Sequence, residues 1–125
     1  MKALLLSIKP EYANRILLGT KKYEYRKRLA KDSFDKIYIY STSPVMKVVG
    51  TVKVLGRLER SPTALWEETK AEAGISRAKY RKYFKNCKSA YAYQLGEVTV
   101  FDTPLNLDDF GVSAAPQSFV YIEAE

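Results

Sequence analysis

The sequence predicts an α+β fold in which about six strands build a mixed β-barrel with flanking helices. The β-type segments are grouped instead of alternating with helices, which argues against a doubly wound parallel sheet. The β-branched segment 45–60 carries Gly50 and Gly56, and glycines inside a strand mark the bends that a small barrel requires. No repeat or linker interrupts the sequence, so we expect one domain spanning residues 1–125.

The elements of the N-terminal part follow from simple patterns. Segment 3–8 is a short apolar run typical of a strand. Pro10 suits the first turn of a helix and Gly19 suits its end, so a helix is predicted between them, across one opening of the barrel. Segments 22–28 and 36–40 show strand-like alternation. We expect strands 3–8 and 22–28 to be neighbours.

The C-terminal part has clear helix boundaries. Ser61-Pro62 and Ser76 favour the starts of two helices, and Gly74 ends the first of them. Gly96 is expected to bend or divide the strand region that follows. The predicted elements are a bent strand at 45–60, helices at 62–73 and 77–86, and a strand region at 89–101. A loop at 105–116 and a closing strand at 118–123 follow.

Composition excludes several classes of chemistry. The chain has no histidine and a single cysteine, Cys87. Ser-His-Asp and Cys-His catalysis, histidine-based metal sites, all-cysteine zinc sites and an internal disulfide are therefore ruled out. We expect no metal and no cofactor. No apolar run approaches the ~20 residues of a membrane span, and the run after Met1 is too short for a signal peptide, so we expect a cytoplasmic protein without a membrane partner.

Positive charge is concentrated in two segments. The formal net charge is +7; residues 1–28 hold eight Lys or Arg against two acids, and residues 77–88 hold six and no acid. From Glu97 onward there are six acids and no base. This distribution favours a polyanion partner, and a merely solvated basic surface is the alternative. Helical spacing in the second segment predicts a basic face suited to a phosphate backbone, formed by Arg77, Arg81 and Lys85.

A charged motif lies where the first helix gives way to a strand. Alternation along that strand places Glu24 and Arg26 on one face, and Lys21 precedes them on the turn. Two cations and a carboxylate at such a junction suit an anion or a polar ring. The alternative is an exposed ion pair of little energetic value. The motif reads G-x-K-x-x-E-x-R, in Gly19-Thr20-Lys21-Lys22-Tyr23-Glu24-Tyr25-Arg26.

This motif resembles that of the ASCH domain, a PUA-like family linked to RNA. The resemblance extends upstream to the run LLSIKPEYA at 5–13 and to the apolar pair at 16–17, so it covers about residues 1–60 and returns at 90–100. It implies a PUA-like β-barrel with a cleft beside the first helix. It also implies that Lys21, Glu24 and Arg26 line that cleft.

Hydroxyl and basic residues at two strand ends are further candidates. Ser7 and Lys9 lie beside a helix N-terminus, which is a natural anion site; the alternative is a helix cap and a solvated lysine. Ser41 and Thr42 follow strand 36–40 and could bind a phosphate or a base edge in the same cleft. The alternative for these two is a hydroxyl-rich turn before Pro44.

Ten tyrosines are unusual for this length, and six of them fall on predicted strands. Aromatic rings on a sheet can stack nucleic-acid bases, but Tyr is also a common structural residue in strands. Most of them are expected to be structural. The pair Tyr93-Gln94 is the first choice for a contact with the ligand. Trp66 is expected in the helix core.

Two functions from different classes remain open. The first is a nucleic-acid-binding module, most consistent with RNA, in which Lys21, Glu24 and Arg26 hold a base, nucleotide or phosphate. Its biological role could be regulatory, in translation or transcription. The second is an enzyme in which Lys21 and Glu24 are catalytic. The oligomeric state is not predicted.

The enzyme hypothesis has two forms, both implied by the resemblance. Some ASCH proteins are small amidohydrolases of acylated cytidine that use a Lys, a Thr and a Glu. Their Lys matches Lys21, but Glu24 occupies the place of their Thr. Other ASCH proteins are described as nucleases, and cleavage without histidine would make Lys21 the base.

Overall fold

The computed structural model describes residues 1–124 and confirms the predicted α+β class, with one six-stranded mixed sheet and three α-helices. Two short 3₁₀ turns, Lys70–Glu72 and Leu107–Phe110, complete the regular structure. The elements in chain order are β1 (Lys2–Ile8), α1 (Pro10–Leu18), β2 (Tyr23–Arg26), β3 (Lys36–Ser41), β4 (Lys47–Arg60), α2 (Pro62–Thr69), α3 (Arg77–Tyr83), β5 (Ala90–Leu105) and β6 (Phe119–Glu123).

The strands lie in the order β2-β5-β4-β3-β1-β6. Within residues 1–124, β1 and β3 are the only parallel pair, and their carboxyl ends meet where Ile8 pairs with Ser41. The prediction that the first strand and the motif strand are neighbours is wrong, because β2 pairs with β5 and β1 lies between β3 and β6. The physical reason is burial: β1 is apolar on both faces and takes an inner position, whereas the four-residue β2 stays at an edge.

The sheet is curled but not closed into a barrel, since no backbone ladder joins the edge strands β2 and β6 in residues 1–124. The bend expected in the long strand is present. The β4–β5 register shifts around Gly50 and again before Gly56. The curl brings β2 close enough to β1 for Arg26 to donate to the carbonyl of Ser7.

The core consists of separate apolar clusters. Helix α1 contributes Ala13 and Ile16 to a cluster on the inner strands, which includes Leu6 and Ile39. Helices α2 and α3 instead cover the β2–β5 end of the sheet and bury a second cluster, which contains the aromatic rings of Tyr25, Tyr80 and Phe84. No helix in residues 1–124 is long and apolar enough to cross a membrane.

Several predicted boundaries differ from the structure. The helix predicted at 77–86 ends at Tyr83, because Asn86 adopts a left-handed φ of 66° and the chain turns there. The helix predicted at 62–73 finishes as a 3₁₀ turn, and the strand predicted at 89–101 continues to Leu105. The loop predicted at 105–116 contains a 3₁₀ turn.

Candidate functional site

Lys21 is buried at the junction between α1 and β2. Gly19 ends α1 with a left-handed φ of 83°, which turns the chain and sends Lys21 inward. The side chain is 3% exposed, and its Nζ donates to the carbonyl of Ala73 at 2.8 Å. The ammonium also lies 5.4 Å from the ring centre of Tyr12 and 4.8 Å from that of Tyr25. Two aromatic rings and one carbonyl therefore replace most of the water around this cation.

Burial lowers the pKa of Lys21 to about 8, because removal from water disfavours the charged amine. The carboxylate of Glu24 opposes this change, and the positive charges of Arg15 and Arg26 reinforce it. An amine with such a pKa is partly neutral just above neutral pH. Lys21 can therefore accept a proton there, which an ordinary surface lysine cannot do.

The segment 72–74, which connects α2 to α3, packs directly against Lys21. Ala73 accepts from the Lys21 ammonium, and the carbonyl of Gly74 accepts from Arg15 at 2.9 Å. Gly74 has a left-handed φ of 64°, and a Cβ added there would lie 2.4 Å from the Cβ of Lys21. Only glycine allows this backbone to approach the lysine so closely.

Glu24 and Arg26 form a buried ion pair on the face that alternation predicts. Both Nε and Nη2 of Arg26 contact Oε2 of Glu24, at 3.0 and 2.8 Å. The side chains are only 9% and 15% exposed, so the interpretation as an exposed pair is wrong. Among residues 1–124, Oε1 of Glu24 makes no hydrogen bond. That oxygen is the free acceptor of the cluster.

Arg26 is largely occupied by the protein itself. Besides the contacts to Glu24, its Nη2 donates to the carbonyl of Ser7 at 2.8 Å, and Nη1 lies 3.4 Å from the hydroxyl of Ser118. The N–H of Ser7 still donates to the carbonyl of Ser118 at 3.0 Å, and the guanidinium of Arg26 supplies the donor for the carbonyl of Ser7. Arg26 keeps only the second N–H of Nη1 for a ligand, and its binding role stays a prediction.

The hydroxyl and basic candidates gather near the same edge, where β1 and β3 end. Ser7 donates through Oγ to the carbonyl of Pro116 at 2.7 Å. Lys9 is the exposed N-cap residue of α1, and its side chain makes no capping hydrogen bond. The backbone N–H of Thr42 donates to Ile8. Ser41 is 2% exposed, and its Oγ is the one buried side-chain nitrogen or oxygen in residues 1–124 that lacks a partner. A buried hydroxyl without a partner is rare and suits a water or a ligand atom.

Tyr93 has a structural role in this molecule. It is 1% exposed, and its hydroxyl accepts from the backbone N–H of Ala30 at 2.8 Å. Its ring packs edge-on against Phe34. Gln94, half-buried, pairs with Tyr23 across the β2–β5 ladder. The ring of Tyr93 is thus enclosed, and a stacking role for it finds no support in the geometry.

The predicted basic face is exposed but only partly helical. Arg77 and Arg81 lie on α3, whereas Lys85 lies beyond its end. No acid lies within ion-pair distance of these three cations in residues 1–124; Lys79 alone in the segment 77–88 is paired, with Glu11. The face is separated from Lys21 by the aromatic cluster under α2 and α3.

The structure adds site residues that the sequence did not indicate. Tyr12 and Ala73 contact the Lys21 ammonium, and Ser118 contacts Arg26. Each is distant in sequence from the group it contacts or acts through its backbone. No sequence pattern marks such partners.

Comparison with known proteins identifies the family. The model of the ASCH domain matches residues 6–99. An ASCH domain-containing ribonuclease from Zymomonas mobilis is 31% identical over 129 residues, covering 99% of this chain and 86% of that protein. A crystal structure of ASCH from Zymomonas mobilis matches with a TM-score of 0.89 and 29% identity, covering 97% of this chain and 87% of that one.

A more distant structure shares the fold alone. The N-terminal domain of McrB from Staphylothermus marinus has a TM-score of 0.53 at 13% identity, over 86% of this chain and 77% of that one. The family model spans most of the chain, and the similarity to the Zymomonas mobilis protein extends over 99% of this chain. This chain therefore belongs to the ASCH domain family.

Proposed function

We propose that this ASCH protein binds RNA, with the unpaired basic face of the segment 77–88 as the main electrostatic contact. The observation that carries the proposal is that most cations of this segment are unpaired. Five of the six cations in the segment 77–88 have no acid within ion-pair distance in the described chain. Cations that are not neutralised by the protein can release counterions from a phosphate backbone, which is the main source of affinity for nucleic acids. Membership of the ASCH family supports the same function.

The cleft beside α1 would hold one nucleotide of that RNA. Oε1 of Glu24 can accept a base N–H, and the unpartnered hydroxyl of Ser41 can bond a base edge or a ribose hydroxyl. Lys9, exposed at the cleft edge, can meet a phosphate. Single-stranded RNA is favoured over a duplex because recognition by such small clefts requires an unstacked base.

Filter binding to a single-stranded RNA across a salt series tests this proposal. We expect affinity to fall steeply as salt rises, and the double variant Arg81→Gln/Lys85→Gln to flatten the slope by about 0.7 for each phosphate that the protein no longer neutralises. The matched control is Lys53→Gln/Lys70→Gln, which removes two lysines already paired with Glu97 and Glu67. An RNA affinity that neither salt nor the first variant changes would contradict the proposal.

A second candidate function is RNA cleavage, which one specific observation favours: a protein similar over nearly the whole chain is a ribonuclease. Lys21, with a pKa of about 8, supplies a base. In the step we propose, neutral Lys21 takes the proton of a ribose 2′-hydroxyl, and the 2′-oxygen attacks the adjacent phosphorus. The bond from phosphorus to the 5′-oxygen breaks, that oxygen is protonated by water, and a 2′,3′-cyclic phosphate remains.

Cleavage of a labelled single-stranded RNA by Lys21→Met tests this step against Lys22→Met, which removes the exposed neighbouring lysine. We expect the first variant to lose cleavage while still binding RNA, and the second to cleave normally. The rate for the parent should rise with pH and level off near the pKa of Lys21. No cleavage by the parent of RNA or of acylated cytidine would leave binding as the function.

A further inference from the structure

A cavity of about 220 Å³ lies between α2 and α3, and Lys21 is not among its lining residues. Its wall includes the aromatic side chains of Trp66, Tyr80 and Phe84, and its rim includes Arg77 and Arg81. The two arginines are four residues apart on one helix, so they lie on the same face. The cavity therefore combines an aromatic wall with two cations, and neither arginine has an acid within ion-pair distance in residues 1–124. Glu67 also lines the cavity, but its carboxylate is paired with Lys70.

The aromatic wall is preorganised. Trp66 lies 4.8 Å from the ring centre of Tyr80, and Tyr80 lies 4.9 Å from that of Phe84. The hydroxyl of Tyr80 donates to the carbonyl of Pro62 at 2.7 Å, which fixes the ring between the two helices. Trp66 itself is only half-buried, and among the described residues no cation stacks on its indole. The indole thus packs against Tyr80, and no cation of residues 1–124 makes a cation–π contact with it.

We propose that this cavity binds one base of single-stranded RNA against Trp66, with the neighbouring phosphate on Arg77 and Arg81. The inference rests on the proposed RNA binding and names a second contact point for it. The size supports a single base, because cavities for drug-sized ligands begin at about 300 Å³. Proteins that bind single-stranded nucleic acid combine the same two features. Aromatic side chains stack on the bases, and cationic groups contact the phosphates.

Packed aromatic rings lie between the cavity and the buried amine of Lys21. The ammonium of Lys21 lies 4.8 Å from the ring centre of Tyr25, that ring lies 5.0 Å from Tyr80, and Tyr80 packs on Trp66. The two sites are therefore separated by two tyrosine rings. A strand of a few nucleotides can place one base in the cleft and another at Trp66.

Tryptophan fluorescence tests the inference directly, since Trp66 is the only tryptophan in the chain. We expect an eight-nucleotide oligouridylate to quench it in a saturable way. Trp66→Leu should weaken RNA binding by about 5- to 150-fold, because the base then has no indole to stack on. Trp66→Phe keeps an aromatic ring in the cluster and should weaken RNA binding less than Trp66→Leu does. Circular dichroism checks that both variants are folded.

A charge-matched pair of variants separates site binding from general attraction. Arg77→Gln/Arg81→Gln removes two positive charges at the cavity, and Lys2→Gln/Lys53→Gln removes two that lie outside the segment 77–88 and are paired with Asp32 and Glu97. We expect the first to lose most of the quenching and the second to retain it. Equal loss in both, or RNA binding without quenching, would overturn the inference and leave the proposed function intact.

Two further outcomes would overturn the inference. If the parent binds no RNA in the filter assay, the proposed function fails and this inference fails with it. If oligouridylate leaves the fluorescence unchanged while an oligoglutamate peptide quenches it, the cavity takes an acidic protein segment and the inference is overturned.

Discussion

Arg26 donates from Nη2 to the carbonyl of Ser7 at 2.8 Å, although β2 and β1 are separated by three other strands in the sheet. The same guanidinium neutralises the buried carboxylate of Glu24. One side chain thus completes the charge balance of the candidate site and ties an edge strand to the inner sheet. The motif arginine is as much a structural link across the open side of the sheet as a site residue.

Replacing Arg26 with Met should destabilise the protein strongly. The change leaves the Glu24 carboxylate buried without its partner, which typically costs about 3–5 kcal/mol. Urea unfolding would measure it. Arg60→Met is the matched control, because its pair with Glu68 is more than 40% exposed and such pairs contribute about 0–1 kcal/mol. Equal losses of stability in the two variants would show that Arg26 has no special role.

The free energy of unfolding should depend on Lys21 at alkaline pH. Burial lowers the folded-state pKa to about 8 from an ordinary value of 10.5, so between these pH values the unfolded chain binds more protons than the folded one. The contribution of Lys21 to stability therefore rises with pH across that window, by up to about 3 kcal/mol.

The comparison of parent and Lys21→Met by urea unfolding at pH 7, 9 and 10 isolates this effect. Burial raises the pKa of Tyr80 to about 12 and that of Tyr25 further, which lowers stability above pH 10 in both proteins and cancels in the difference. We expect the stability of the parent relative to the variant to increase with pH. A difference that stays flat would mean that Lys21 titrates normally.

Gly74→Ala should destabilise the protein more than Gly19→Ala does. Both glycines have left-handed φ values, and alanine in that conformation costs about 1–2 kcal/mol. At Gly19 no atom lies within 4 Å of the added Cβ, whereas at Gly74 it meets the Cβ of Lys21 at 2.4 Å. We expect about 1–3 kcal/mol of additional destabilisation from this overlap, measured by thermal or urea unfolding. Equal losses of stability in the two variants would show that the segment 72–74 can move away from Lys21 at little energetic cost.

Tyr93→Phe should lower stability and leave RNA affinity unchanged. Removing the hydroxyl leaves the buried N–H of Ala30 without an acceptor, which costs about 1–3 kcal/mol. The neighbouring Tyr91→Phe is the control, since the Tyr91 hydroxyl makes only a 3.4 Å contact to Glu59 near the surface. If Tyr93→Phe is stable but binds RNA more weakly, the result would support the prediction from the sequence that Tyr93 contacts the ligand.

The sequence by itself determined the fold class, most element positions and the family. Helix α1 was predicted from Pro10 and Gly19 because local backbone preferences decide where a helix begins and ends. The pairing of Glu24 with Arg26 followed from the two-residue period of a strand. Such features depend on neighbours in the chain, so the sequence alone contains them.

Only the tertiary structure decided which strands pair and what surrounds the charged groups. Strand β2 lies beside β5 and not β1, because burial of the apolar β1 on both faces outweighs closeness in sequence. The pKa of Lys21 is lowered because the packed structure removes the amine from water. Desolvation depends on the packing of distant segments, and no local pattern encodes it.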